Sequence, residues 1–384
     1  KEYRQVLGTK HNFFIDSGGY SIIVGDVEPR SIAKFIECYN MFLERDAPEY
    51  CDFIFSLDIP VFLKYPTYNT FTYIYEMNSR SISQSKKILQ ENKDLYNKFI
   101  FVWQFKLPKQ YEVWKRVYEE NFADDINLRH FGIGGLVGLR GVTGIKFSPF
   151  IAMMYKCLKI FYEKNLDTTH ILHVLGVYGL HDRVIMSFLH KLFNIYYLKN
   201  SNCKVQVTYD TVNYALSGLY KLRELEMYIP ENNIYHFGYA HELINKMHLV
   251  IDDADVLEIV LKDLKNINEG KQVQDTHIAS LLNVIAQSII DKIIDDEIEK
   301  NNIVDLFLSS GNFYKFRNKF LPLLKSWEKK YSSIFGNRTE KNLLNFQYCY
   351  AFHQWWNNGR NETELEKLIK KFISLINFPF DLQE

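Results

Sequence analysis

The feature that most constrains this chain is a recurring run, an apolar strand-forming stretch that ends on an acid, an amide or a glycine. Phe13-Phe14-Ile15-Asp16 leads into Ser17-Gly18-Gly19-Tyr20, Cys51 to Asp58 ends on a second acid, and Val205-Gln206-Val207-Thr208-Tyr209-Asp210 ends on a third. Phe99-Ile100-Phe101-Val102-Trp103 ends on Gln104, His130 to Gly138 runs into a glycine cluster, and His170 to Val177 carries Gly176. Runs this apolar suit strands buried on both faces, as in a parallel sheet. One Asp after a strand is most often a turn former or a helix cap. Three of them point to a shared site at the carboxyl edge of a barrel or an open α/β sheet.

The intervening segments have helical spacing. Ile32 to Phe42 places Ile32, Phe35, Ile36, Tyr39 and Phe42 on one face, and Ile82 to Leu95, Tyr111 to Glu120, Phe150 to Lys164 and Val184 to Leu198 are further helices. Strand and helix alternate through six strands by Asp210, the signature of parallel βαβ units. The expected fold is α/β, a TIM (β/α)8-type barrel. The two remaining strands either precede Lys1, which is not an initiator Met, or include a segment such as Ile234-Tyr235-His236-Phe237. Beyond about residue 250 the texture is helical, at Ala254 to Lys265, His277 to Lys300, Phe313 to Tyr331 and Glu364 to Ile376. The expected organisation is a barrel over 1–250 and an α-helical domain over 251–384.

Composition bears on partners. With 46 Lys plus Arg against 46 Asp plus Glu, attraction to nucleic acid must come from local patches. Lys106, Lys109, Arg140 and Lys146 follow strand ends and are the expected phosphate contacts. Phe313 to Phe320 with Lys325, Lys329 and Lys330 interleaves cations and aromatics, which reads either as a phosphate-and-base contact or as an amphipathic helix with a solvated Lys face. The five cysteines lie scattered without any C-x-x-C, so no disulfide framework or zinc knuckle is signalled and a reducing, cytoplasmic home is expected. No apolar run reaches the length of a membrane span, and no membrane partner is expected. His173 in mid-strand reads as a hydrogen-bonded core residue, and the glycosylation patterns at Asn337 and Asn361 read as chance.

Asp16-Ser17-Gly18-Gly19-Tyr20, Gly132-Ile133-Gly134-Gly135-Leu136, Val174-Leu175-Gly176-Val177 and Tyr209-Asp210-Thr211-Val212 occur in the order and approximate spacing of the signature segments of tRNA-guanine transglycosylases. The chain most resembles their DNA-modifying relatives, the DpdA-type 7-deazaguanine DNA transglycosylases, over roughly residues 12 to 220. The resemblance implies a barrel enzyme that exchanges guanine in a polynucleotide for a 7-deazaguanine base, without a cofactor, in a bacterial or phage-infected cell. It implies Asp210 as the nucleophile, because a carboxylate can trap the oxocarbenium-like state at the glycosidic carbon, and Asp16 as general acid and base. A strand-end cap is the plain alternative for Asp210, and a helix cap before Pro60 for Asp58. As the family acid, Asp58 pairs with the N1–H and exocyclic amine of the base. Gln104 and the backbone N–H groups of Gly134 and Gly135 address its carbonyl oxygen, and Tyr20 and Leu175 sandwich the flipped base. Ser17 and Gly176 complete the substrate-binding set.

Two departures from the tRNA enzymes favour DNA. Those enzymes carry a C-x-C-x-x-C run with a distal His as a structural zinc site, whereas Cys349 is the one cysteine here beyond Asp210, so no metal is expected. Asn213 to Gly218 also lacks their Pro-Thr-Arg pattern. The expected partners are DNA, or tRNA on the alternative reading, a free 7-deazaguanine base, and a helper protein that opens the duplex. A non-catalytic nucleic-acid-binding member would have no need of Asp210, and a carbohydrate glycosidase would explain paired acids but not Gly134-Gly135.

Overall fold

The computed structural model describes residues 14–135, 148–177, 180–210, 226–232, 234–270, 276–331, 339–375 and 382–383. Six strands, β1 (Phe14–Ile15), β2 (Phe53–Phe55), β3 (Phe99–Gln104), β4 (His130–Gly134), β5 (Thr169–Val174) and β6 (Lys204–Tyr209), form one parallel sheet in sequence order. These are the six runs expected from the sequence. The helices are α1 (Gly19–Val24), α2 (Ile32–Arg45), α3 (Ala47–Tyr50), α4 (Phe71–Glu91), α5 (Lys93–Tyr96), α6 (Pro108–Phe122), α7 (Ser148–Lys164), α8 (Leu180–Leu192), α9 (Ala254–Asn268), α10 (Thr276–Lys300), α11 (Ile303–Ser310), α12 (Phe313–Lys330), α13 (Thr339–Asn357) and α14 (Glu362–Ser374). By contact the chain divides into two compact units, one of residues 1–176, 192–209 and 344–384, the other of 177–191 and 210–343.

In the first unit the sheet curls as a half-barrel. The curl is visible in side chains that meet across it: the His173 ring of β5 lies 5.5 Å from Phe14 of β1 and 4.9 Å from Phe55 of β2, and neither β1 nor β2 is adjacent to β5. Strand alternation explains why both faces of β3 are buried. Ile100 and Val102 join Phe14, Phe53, Phe55 and Ile171 inside the curl, while Phe101 and Trp103 pack outward on Trp114, Tyr118 and Phe122 of α6 and its end. Among the described residues β1 and β6 are the sheet edges, so the sheet is open where a (β/α)8 barrel was expected to close. The segment Ile234 to Phe237 does not close it. It belongs to β8 (Ile234–Tyr239), which pairs antiparallel with β7 (Glu226–Glu231) in a separate two-stranded sheet. Six residues joined by a two-residue connection make a hairpin, whereas a parallel neighbour requires a crossover.

The carboxyl-terminal helix α14 lies against α7 in this same unit. Lys156 Nζ of α7 donates to Glu366 Oε1 (2.5 Å) and to the Tyr111 hydroxyl (3.0 Å), and Tyr111 donates to Glu366 (2.8 Å). A buried ammonium retained among apolar neighbours needs such a partner. Asn361, one of the two apparent glycosylation sites, instead caps α14, its side chain accepting from Glu364 N (3.0 Å).

The second unit is built on the hairpin and on α8 to α12. Met227 and Ile229 of β7 pack with Met247, Val260, Leu264, Leu282 and Ala286. Arg183, fully buried on α8, donates to Asp291 (2.6 Å) and Gln287 (2.5 Å) of α10.

Candidate active site at the carboxyl edge of the sheet

Parallel strands bring their carboxyl ends to one edge of the sheet, and the first five deliver two polar groupings there. The first follows β1 and β2. Ser17 N donates to Asp16 Oδ1 (2.8 Å), and Ser17 Oγ donates to Asp58 Oδ1 (3.1 Å) across 41 positions of sequence. Asp58 is buried, 8% exposed, whereas Asp16 is exposed. Gly19 is required at this point, because a Cβ there would sit 2.8 Å from Asp58 Oδ1. Gly18 turns the chain with φ of 84° immediately before α1.

Burial raises the Asp58 carboxyl from 3.8 to about 7, reinforced by the nearby charge of Asp16 and opposed by the Ser17 hydrogen bond. A carboxyl so placed stands between its protonated and ionised forms near neutrality. The segment around it is held from behind. Asn78 of α4 accepts from Ile59 N (2.8 Å) and donates to Ile59 O (2.9 Å), Ser81 donates to Leu57 O (3.3 Å), and Tyr39 donates to Phe55 O (2.7 Å). Asn78 and Ser81 are not singled out in the sequence, and Tyr39 reads there only as part of an apolar helix face. A signal was present in Asn78, Ser81 and Ser85, small polar groups at helical spacing on the face that also carries Ile74, Ile82 and Leu89, all of them buried.

The second grouping follows β3, β4 and β5. Gln104 is in register with Gly134, and its amide lies over that glycine: a Cβ on Gly134 would fall 1.8 Å from Gln104 Oε1, with Leu175 Cδ1 3.5 Å away. Gly135, at φ of 110°, passes so close to β3 that a Cβ would meet Phe105 O at 2.0 Å. Gly176, at φ of 76°, follows β5. Gln104, Gly134, Gly135 and Leu175 are therefore brought together, as are Asp16, Ser17 and Asp58.

Of the four expected phosphate contacts, Lys106 departs from expectation. Lys106 is buried, 6% exposed, and lines a small cavity with Gln104, Gln110, Gly135, Ile59 and Pro60, so it does not stand on an open rim. Burial pushes its ammonium down to about 8. The Lys106 backbone N–H donates to Gln110 Oε1 (2.9 Å) just before α6. Lys109 is half-buried in the first turn of α6. Arg140, Lys146 and the Tyr20 side chain lie outside the described residues. Asp210 follows β6 directly and is exposed, and it belongs to the second unit.

His173 is a core residue as expected, its Nδ1 2.9 Å from Thr208 Oγ1. Among the described residues no group of three or more His, Cys, Asp or Glu side chains is placed to hold a metal ion, and no helix is long and apolar enough to cross a membrane. Chemically, the edge offers a protonatable buried acid, an exposed acid one residue from its serine partner, and a primary amide laid on glycine. That set recognises a polar ligand through both donors and acceptors and can transfer a proton to it. In comparisons with known proteins, no family model and no curated protein sequence matches the chain.

Proposed function

We propose that the protein is a guanine transglycosylase that exchanges guanine in a polynucleotide, DNA by preference, for a 7-deazaguanine base. The parallel half-barrel is then the larger part of a (β/α)8-type barrel. The observation that carries the reading is that Asp58, buried beside Gly19 and bonded to Ser17, follows β2 while Gln104, laid on Gly134, ends the neighbouring strand β3. In its ionised form Asp58 would accept from the N1–H and amine of a guanine-type ring, while Gln104 and the Gly135 N–H would donate to its carbonyl oxygen. Asp210 is the nucleophile. It directly follows β6, two positions after Thr208, whose hydroxyl meets the interior residue His173. Its carboxylate oxygen bonds C1′ as the bond from C1′ to the guanine nitrogen breaks, and Asp16 protonates the departing base. The incoming base then gives a proton to Asp16 and bonds C1′, releasing Asp210.

The test is incubation of parent and Asp210→Ala protein with labelled free base and matched single-stranded DNA, duplex DNA and tRNA. The readouts are nucleoside mass spectrometry and denaturing gels. The parent should exchange base into single-stranded DNA fastest, since a paired guanine must first be flipped at roughly a few kcal/mol. Asp210→Ala should give neither exchange nor adduct. An adduct that survives denaturation in Asp210→Ala would refute the nucleophile, and labelling of tRNA alone would make RNA the polymer.

A further inference from the structure

The helix α12 carries Lys315, Arg317, Lys319, Lys325, Lys329 and Lys330 against a single acid, Glu328, in a protein whose total charge is balanced. Its apolar residues are turned inward: Phe316, Phe320, Leu324 and Trp327 are all buried. At about 100° per residue, Lys315, Asn318, Lys319, Pro322, Lys325, Ser326 and Lys329 share the opposite face. All seven are exposed, and no acid is among them. At one border of that face Tyr314 is 76% exposed. Lys330 is taken by Glu297 (2.9 Å). Lys315, Lys319, Lys325 and Lys329 enter no ion pair among the described residues, although α9 and α10 of the same unit are rich in acids.

We infer that this face of α12 is a binding surface for single-stranded nucleic acid. The four lysines run for about 21 Å along the helix, enough for several consecutive phosphates, and the exposed Tyr314 ring offers a stacking platform for an unpaired base. A membrane surface fits less well, because an interfacial helix turns its apolar side outward and here that side is consumed by the core. The inference rests on charge and exposure in the second unit and does not depend on base exchange at the sheet edge. It also supplies cations that the buried Lys106 does not.

Anisotropy titrations of a labelled 20-nucleotide single strand with the full chain, over a range of salt, test it. Replacing Lys315, Lys319, Lys325 and Lys329 by Gln should weaken binding and reduce the log-log salt slope by up to about 3, at ~0.7 per lost phosphate contact. Tyr314→Ala should weaken binding about fivefold or more and leave the slope unchanged. Gln at the exposed Lys34, Lys87, Lys93 and Lys199 removes the same charge elsewhere and should change neither. Equal binding by the α12 variant and the parent, equal loss in the control, or a parent that binds phosphatidylserine vesicles but not the strand, would each overturn the inference.

Discussion

Asp58→Asn should abolish a pH dependence of stability that the parent carries. In the folded protein the Asp58 carboxyl titrates near 7, against 3.8 ordinarily, a difference of about three units. At ~1.4 kcal/mol per unit, burying the ionised form costs about 4 kcal/mol. Between pH 4 and 7 the folded state holds a proton that the unfolded chain has released, so stability falls as pH rises through this window and levels above it. Below pH 4 both states are protonated and the effect vanishes. Asn keeps the shape and can still accept from Ser17 without ionising. The variant should therefore match the parent near pH 4 and exceed it by about 4 kcal/mol at pH 8. Urea denaturation of both proteins from pH 4 to 8, with a common m-value, measures this difference. Since only Asp58 differs, titrating groups that do not interact with it cancel. Parallel curves would refute the burial argument. A gain in stability accompanied by loss of base binding would mark Asp58 as an acid kept for function at the expense of the fold.

Gly134→Ala and Gly135→Ala should separate sharply although they are neighbours. At Gly134 the new methyl meets the end of the flexible Gln104 side chain, so stability should change by less than about 1 kcal/mol while base binding, followed by calorimetry, drops. At Gly135 a positive φ and a backbone oxygen 2.0 Å away should destabilise by ~2 to 6 kcal/mol in the same denaturation assay; equal losses at both sites would contradict this. Glu366→Ala strands the buried Lys156 ammonium and should cost about 3 to 5 kcal/mol, whereas Lys156→Met combined with Glu366→Leu should restore most of it; a single-variant loss under 1 kcal/mol would count against the clamp.

The six strands, most of the helices and the polar strand ends were legible in the sequence because they depend on local pattern. Alternation, 3.6-residue spacing and the residue types that end a strand are decided within a dozen positions. Helix α13 escaped notice for a related reason: Phe346, Cys349, Phe352, Trp355 and Trp356 are all buried, and residues apolar on several sides leave no amphipathic stripe to read. Other features required the folded chain. The bond from Ser17 to Asp58 spans 41 positions, and the link from Lys156 to Glu366 spans 210. Nothing local records either. Lys106 read as a surface cation because lysine after a strand is usually solvated, whereas in the fold it lines a small cavity with Ile59, Pro60 and Trp114. Ile234 to Phe237 read as one of two ways to close the barrel because strand propensity is silent about partners, and its partner in the fold is β7. Sequence thus determined which segments form elements and which residues end them. Tertiary packing decided which carboxyl is desolvated, which lysine faces solvent and which segments share a unit, since burial and charge environment come from neighbours distant in the chain.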